Sequence, residues 1–302
     1  MTLRLNRIVL WLFCLLCLVS VPVLAAAFVP TASLAVLTYH DIGMPEVGYC
    51  ISRERFLSHL NALQQEGYTF LPLEAVGLFL EGRYVPPSKA VVLTFDDGYA
   101  SFYQEVYPIL RERAIPAAVF LITGDVGRGR RLTWAQIREM ERDPGVHIRF
   151  YAHAHNGHEL IDTDGDKVPD TRFYAGRQWL AKEGRRETTE EYRERIRKDL
   201  RAARKAIETH LGHASPYFAV PGSGWSRVLA RVAQEEGYRY LFAPTWGKFV
   251  QRGWSPQRLP RLDAGSIRPD GKAVTPEQLL NLLRSRDLRG NLNRTCSRGL
   301  LP

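Results

Sequence analysis

The run Ala90-Val91-Val92-Leu93-Thr94-Phe95 is six residues long with a single hydroxyl among them, and it stops at Asp96-Asp97-Gly98. A strand with one wet face alternates apolar and polar residues. An unbroken apolar run closed by turn residues is buried on both faces and belongs inside a parallel sheet. Parallel neighbours need crossover connections, so helical patterns must flank such a run. They do, and the chain reads as α/β.

Residues 34–39 read as a first strand, and residues 54–66 place Phe56, Leu57, Leu60 and Leu63 at helical spacing before Gly67. Residues 70–72 suit a short strand and 73–81 a helix closed by Gly82, with Pro86-Pro87 leading into the central strand. Phe102, Val106, Ile109 and Leu110 make 101–113 helical, with Pro108 tightening or kinking it. A strand at 117–122, a helix at 134–142 and a strand at 146–151 follow, then an irregular stretch over 153–182. A loop of that length inside a compact domain is usually functional. Thr188 opens a helix that runs through Tyr192, Ile196, Leu200, Ala203 and Ile207 to Gly212. Beyond it come a strand at 217–220, a helix at 226–236, a strand at 240–243 and a last helix at 276–283. Strand-helix units recurring every ~30 to 45 residues predict a distorted (β/α)-barrel-like fold of seven or so strands.

Residues 8–23 are almost wholly apolar, follow Arg4 and Arg7, and precede Ala25-Ala26-Ala27, the layout of a secretory signal peptide over 1–27. An uncleaved anchor is the alternative, since a helix of about 16 residues nearly spans a bilayer. Cys14 and Cys17 lack the small preceding residue of a lipoprotein signal. Either way the chain is expected to be exported, to the periplasm or cell envelope or beyond. Cys50 and Cys296 would then sit in an oxidising compartment that permits a disulfide between them. The net charge of +9 suits an acidic partner, but the basic residues are not aligned with aromatics into a nucleic-acid groove. The cluster over 185–204 is mixed with Glu and reads as a solvated helix face. The basic tail over 284–302 reads as a frayed segment facing membrane or wall.

The chemistry gathers at the ends of two strands. Asp96 and Asp97 stand where the central strand stops, the end at which barrel active sites are built. Adjacent carboxylates sharing one pocket repel each other unless a cation lies between them. A divalent metal resolves this by binding one and leaving the other as a base. Ligands for it lie in Tyr151-Ala152-His153-Ala154-His155-Asn156-Gly157-His158, three histidines in six residues after a predicted strand. Two His and one Asp would leave coordination positions open. His153 and His158 fit by spacing, with His155 a further candidate. In the long loop, Asp162, Asp164, Asp166 and Asp170 alternate around Gly165, an oxygen-rich pattern that suits calcium but lacks the distal Glu of an EF-hand; an ordinary acidic turn is the alternative.

Residues 90–99 resemble the first motif of the polysaccharide deacetylases, the NodB-homology group or carbohydrate esterase family 4. The resemblance covers roughly residues 34–265 and is similar in detail to the deacetylase domain of periplasmic poly-β-1,6-N-acetylglucosamine deacetylases. Tyr39-His40-Asp41, the four-residue gap between His153 and His158, and Glu191-Tyr192-Arg193-Glu194-Arg195-Ile196-Arg197 carry that likeness. It implies a deacetylase domain over 28–283, with Asp96 as catalytic base and Asp97, His153 and His158 as ligands of Zn, Co, Ni or Fe. His40 becomes the candidate acid, and Arg261 in Leu259-Pro260-Arg261 the group that orients the catalytic carboxylate. The substrate implied is an acetylated polysaccharide losing N-acetyl groups.

One motif departs. Where the family has an aromatic after proline, this chain reads Val220-Pro221-Gly222-Ser223-Gly224-Trp225. The backbone N–H of Gly222 after Pro221 can still serve an oxyanion, but the sugar platform is missing; Trp225, Trp246 and Trp254 are candidates to replace it. A glycan O-acetyl esterase using the same residues, and a non-catalytic glycan-binding protein on this scaffold, remain as rivals. The intact Asp, Asp, His, His set weighs against the second.

Overall fold

The computed structural model describes residues 32–222, 224–243 and 249–284. The expected signal peptide, Cys296, Trp246 and the basic tail after Arg284 lie outside the described residues. The sheet is built from β1 (Ser33–Tyr39), β2 (Ala90–Asp97), β3 (Ala117–Ile122), β4 (Ile148–Ala154), β5 (Tyr217–Ala219) and β6 (Tyr240–Phe242), all parallel, in the order β6-β5-β4-β3-β2-β1. Val250–Gln251 adds antiparallel to the outer edge of β1, making seven strands along the curled sheet. All eight residues of β2 are buried, as the apolar run requires. The expected distorted (β/α)-barrel is the observed fold.

The gap between β6 and β1 is closed by an irregular segment. Leu259 bridges Phe242, donating to the Leu241 carbonyl at 2.8 Å and accepting from Ala243 N–H at 2.9 Å. Three residues later Leu262–Asp263 pairs with Leu37 and Thr38 of β1. Pro260 and Arg261 are therefore held between the two edges of the sheet. The closing segment is also the one that carries Arg261 to the strand ends.

Helices cover the outside. α1 (Arg53–Gln65) starts where the Ser52 side chain accepts from Arg55 N–H, and it buries Phe56, His59, Leu60 and Leu63. α2 is Glu74–Leu80. Pro108 neither tightens nor simply kinks its helix: Phe102–Val106 forms a π-helical turn, with Tyr107 N–H bonded to the Phe102 carbonyl, before α3 (Tyr107–Glu112). A proline in the second position of α3 has no N–H to give, so the preceding turn widens instead of continuing as α-helix. Capping boxes open α4 (Trp134–Arg142) at Thr133 and α5 (Thr189–Leu211) at Thr188. α6 is Arg227–Glu235, and α7 occupies residues 276–284.

Two expectations change. The strand expected to end at Tyr151 runs on to Ala154, because β3 and β5 flank it and its pairing with β3 reaches Ile122 opposite Ala154. His153 is thus a strand residue. Nor is the basic cluster of α5 simply solvated. Arg197 reaches Glu235 of α6 at 2.7 Å and Arg201 reaches Glu236 just past its end at 2.8 Å, while Arg195 reaches Glu187 at 2.7 Å. These arginines clamp neighbouring elements.

His59 of α1 is fully buried, its Nε2–H donating to the Val274 carbonyl at 2.8 Å and its Nδ1 accepting from Tyr39 Oη at 3.2 Å. This pattern fits the neutral ring. Burial lowers its pKa to about 4. Between pH 6.5 and 4 the unfolded chain therefore takes up a proton that the fold refuses, and stability falls as pH falls. His153, also lowered to about 4 by burial, acts in the same direction. Urea unfolding at pH 7 and pH 5 is expected to show a drop of on the order of 2 kcal/mol from His59 alone. In His59→Gln the drop becomes shallower; an unchanged slope would remove His59 from this account.

Candidate active site

At the end of β2 the backbone solves a geometric problem. Successive strand side chains point to opposite faces, so Asp96 and Asp97 could not share a pocket on a regular strand. Asp97 adopts φ 72° and Gly98 φ 70°, both left-handed, and this turn directs both carboxylates into one cleft. The left-handed φ favours glycine at position 98. A Cβ on it would lie 2.7 Å from Leu121 Cδ2.

Asp97 Oδ1 lies 3.4 Å from His153 Nε2 and 3.2 Å from His158 Nε2, and the three ligand atoms fall within 4.8 Å of one another. His153 Nδ1 is 2.7 Å from the Ala219 carbonyl, an acceptor only, so Nδ1 carries the proton and Nε2 presents its lone pair to the site. Asp97 Oδ1 is buried and has no hydrogen-bond donor among the described residues. A buried carboxylate oxygen facing imidazole nitrogens at these distances suits a shared transition-metal ion. Burial alone would raise the Asp97 pKa, but His158 and His153 outweigh it and hold the group well below the usual carboxylate range. The residues present fit such a metal.

Asp96 is held differently. Arg261 grips it with both nitrogens, Nη1 to Oδ1 at 2.7 Å and Nη2 to Oδ2 at 2.6 Å. Arg261 Nη1 also donates to Thr94 Oγ1 at 3.3 Å, and its guanidinium lies 5.5 Å from the Phe120 ring centre. Burial raises the Asp96 pKa; Arg261 overcomes this and leaves it lowered, so the carboxylate is ionised at neutral pH. His40 Nε2 stands 3.9 Å from Asp96 Oδ2. Its neighbours are anchored on both sides: Tyr39 is in the core, and Asp41 accepts from Ser101 Oγ at 2.6 Å and pairs with Arg130.

These groups line a cleft of about 290 Å³ at the C-terminal ends of the strands. It brings together His40, Asp96, Asp97, His153, His158, Gly222 and Arg261 from six separate segments. Pro221 is buried beside it. Sequence reasoning missed Tyr49, whose ring lies tilted against His40 with centres 4.7 Å apart, as well as Arg131, Arg172 and Asp263. Tyr99 was equally open to view, directly following the Asp-Asp-Gly turn.

Other candidates are placed elsewhere. His155 contacts Thr123 Oγ1 at 3.0 Å and stands outside the cluster of Asp97, His153 and His158. Trp225 donates to the Gln257 carbonyl at 2.8 Å, Trp254 packs against the core, and neither lines the cleft. In the acidic loop Asp162, Asp164 and Asp166 converge, but Asp170 does not join them; it accepts from Thr163 Oγ1 at 3.3 Å. Asp162 already accepts three backbone N–H groups, from Asp164, Gly165 and Lys167.

The chain matches the family model described as polysaccharide deacetylase over residues 83–241, a little more than half its length. It is 31% identical over 197 residues to the poly-β-1,6-N-acetyl-D-glucosamine N-deacetylase of Escherichia coli K12, covering 60% of this chain and 29% of that protein. Its match to a Bacillus subtilis relative covers 44% of that protein, so the chain spans less than half the length of these curated relatives. Among solved structures, IcaB from Ammonifex degensii superposes with a TM-score of 0.68 at 26% identity, covering 84% of this chain and 97% of that one. A de-N-acetylase from Aggregatibacter actinomycetemcomitans shares the fold, with a TM-score of 0.70 at 23% identity over 83% of this chain and 99% of that one. The chain belongs to the polysaccharide deacetylase family, with the NodB-homology fold.

Proposed function

We propose that this chain is an exported, metal-dependent hydrolase that removes N-acetyl groups from an N-acetylglucosamine-containing polysaccharide of the poly-β-1,6-linked kind. One observation carries the reading: Asp97, His153 and His158 converge on one point, while the neighbouring Asp96 is kept apart from it by Arg261. The named substrates of the relatives support the choice of polymer, and the apolar segment over 8–23 supports export.

Asp97, His153 and His158 would hold zinc, cobalt, nickel or iron, which supplies Lewis acidity toward the acyl carbonyl and the attacking water. Asp96 accepts the water's proton at its carboxylate. Arg261 holds both oxygens of that carboxylate in place and keeps it ionised, so the base is ready at neutral pH. The Gly222 N–H, in the cleft wall, is the donor available to the developing oxyanion. His40, beside Asp96, protonates the leaving amine, so the products are acetate and a glucosamine unit. Tyr49, tilted against His40, is half-exposed and offers the sugar-facing aromatic surface that the Pro221-Gly222 segment lacks.

Acetate release from poly-β-1,6-N-acetylglucosamine and chitin oligomers, using metal-stripped protein reloaded with each ion in turn, tests the reading directly. Asp96→Asn is expected to lower kcat by about a thousandfold with metal content retained, whereas Asp97→Asn loses the metal. Release from acetyl esters alone would make the chain an O-acetyl esterase, and glycan binding without release would make it a binding scaffold. In Arg261→Gln the Asp96 carboxyl loses the charge that depresses its pKa. Its base form then appears only at higher pH, so kcat falls and the acid limb of the pH–rate profile moves upward. A fall in kcat with the limb unmoved would leave Arg261 a purely structural role.

A further inference from the structure

Arg172 lines the cleft, yet among the described residues its guanidinium has no ion pair or hydrogen bond. Its position is built. Gly222 stands at φ 55°, and a Cβ there would lie 2.4 Å from Arg172 Nε and 2.7 Å from Cζ. The guanidinium therefore fills the space that a side chain at the aromatic position after Pro221 would claim. The strand pair of Leu160–Ile161 with Thr171–Arg172 fixes its backbone.

The other ionised groups of the cleft each have a neighbour. Asp96 has Arg261, Asp97 faces the candidate metal position with His153 and His158, and Asp263 accepts from the backbone N–H groups of Gly265 and Ser266 at 3.1 and 3.0 Å. Arg131 lies 3.8 Å from Asp97 and 3.9 Å from Asp125. Arg172 is thus a cleft cation without a carboxylate partner among the described residues, on a chain of net charge +9. A guanidinium is a planar, multi-donor group suited to pairing bidentately with a carboxylate, and a net positive surface concentrates polyanions.

We propose that the substrate is an acidic glycan, and that Arg172 is the specificity-determining residue that binds a carboxylate on the sugar next to the acetylated unit. This rests on the deacetylase reading of the same cleft: it keeps the N-acetylglucosamine unit that loses its acetyl group and replaces the neutral β-1,6-linked repeat with one that carries a carboxylate on the neighbouring sugar. Binding to the full-length Asp96→Asn chain, which leaves the glycan intact, tests it without turnover. The probes are a hyaluronan hexasaccharide, in which N-acetylglucosamine alternates with glucuronate, a chitin hexamer and a β-1,6-linked N-acetylglucosamine hexamer, each at low and moderate salt. The expected result is at least tenfold tighter binding of the acidic hexamer. Adding Arg172→Gln should reduce that advantage below threefold, and Arg172→Lys should restore part of it. Equal or tighter binding of the neutral hexamers, or an advantage that survives Arg172→Gln, would overturn the proposal. Acetate release by the unsubstituted chain separately reports whether the deacetylase reading stands, so the two failures are distinguishable.

Discussion

The two-pronged contact between Arg261 and Asp96 ties the chemistry to the architecture. It requires the closing segment to bridge β6 and β1, because only there does the Arg261 backbone come within reach of the end of β2. Leu259 on one edge and Leu262–Asp263 on the other fix that span. The pair is nearly sealed from water, with side chains 11% and 3% exposed. Breaking such a pair on one side leaves an uncompensated buried charge, which costs about 3–5 kcal/mol. Barrel closure and the ionised base therefore support each other.

The candidate metal cluster depends on a second constraint, the left-handed turn at Asp97 and Gly98. A non-glycine residue there is strained, and the strain persists because β1 and β3 hold β2 on both sides through Phe95 and Asp97. His153 meets Asp97 because the pairing of β3 with β4 carries the strand past Tyr151. The Ala219 carbonyl on β5 then orients its ring. Four adjacent strands thus set one donor triad. Asp199 performs a related task on the loop side: buried in α5, it accepts from the backbone N–H groups of His155 and Asn156 and pins the chain that leads to His158.

What could be read from the sequence was whatever rests on local pattern. The apolar run of β2 announced a buried parallel strand, and the Asp-Asp-Gly ending marked its functional end. Tyr39-His40-Asp41 was singled out through resemblance; β1 ends at Tyr39, and His40 follows it at the cleft. Arg261 was reachable only through resemblance, since its role depends on a closing segment without periodicity of its own. Tyr49, Arg131, Arg172 and Asp263 left no local signal: each is an ordinary loop or edge residue until the barrel curls and brings its segment to the strand ends. The end of β4 was misjudged for the same reason. Its last residues are extended because neighbours pair with them, while the sequence around His153 looks like loop.

The missing aromatic after Pro221 shows how one substitution reshapes a cleft. Glycine at this position frees space above the backbone, and the Arg172 side chain occupies it, so an apolar stacking surface gives way to a cation. The two are not equivalent toward a sugar. An aromatic ring recognises the apolar face of a pyranose and tolerates most substituents, whereas an unpaired guanidinium in a partly dry cleft attracts a carboxylate and repels an ammonium. On a polymer whose deacetylated units become cationic, that charge would oppose rebinding of product and favour acetylated or acidic neighbours. Tyr49, beside His40, remains as an exposed aromatic ring of the cleft. The cleft keeps the candidate Asp, Asp, His, His set while its wall beside Gly222 carries a cation, and so family membership fixes the reaction class more firmly than it fixes the polymer.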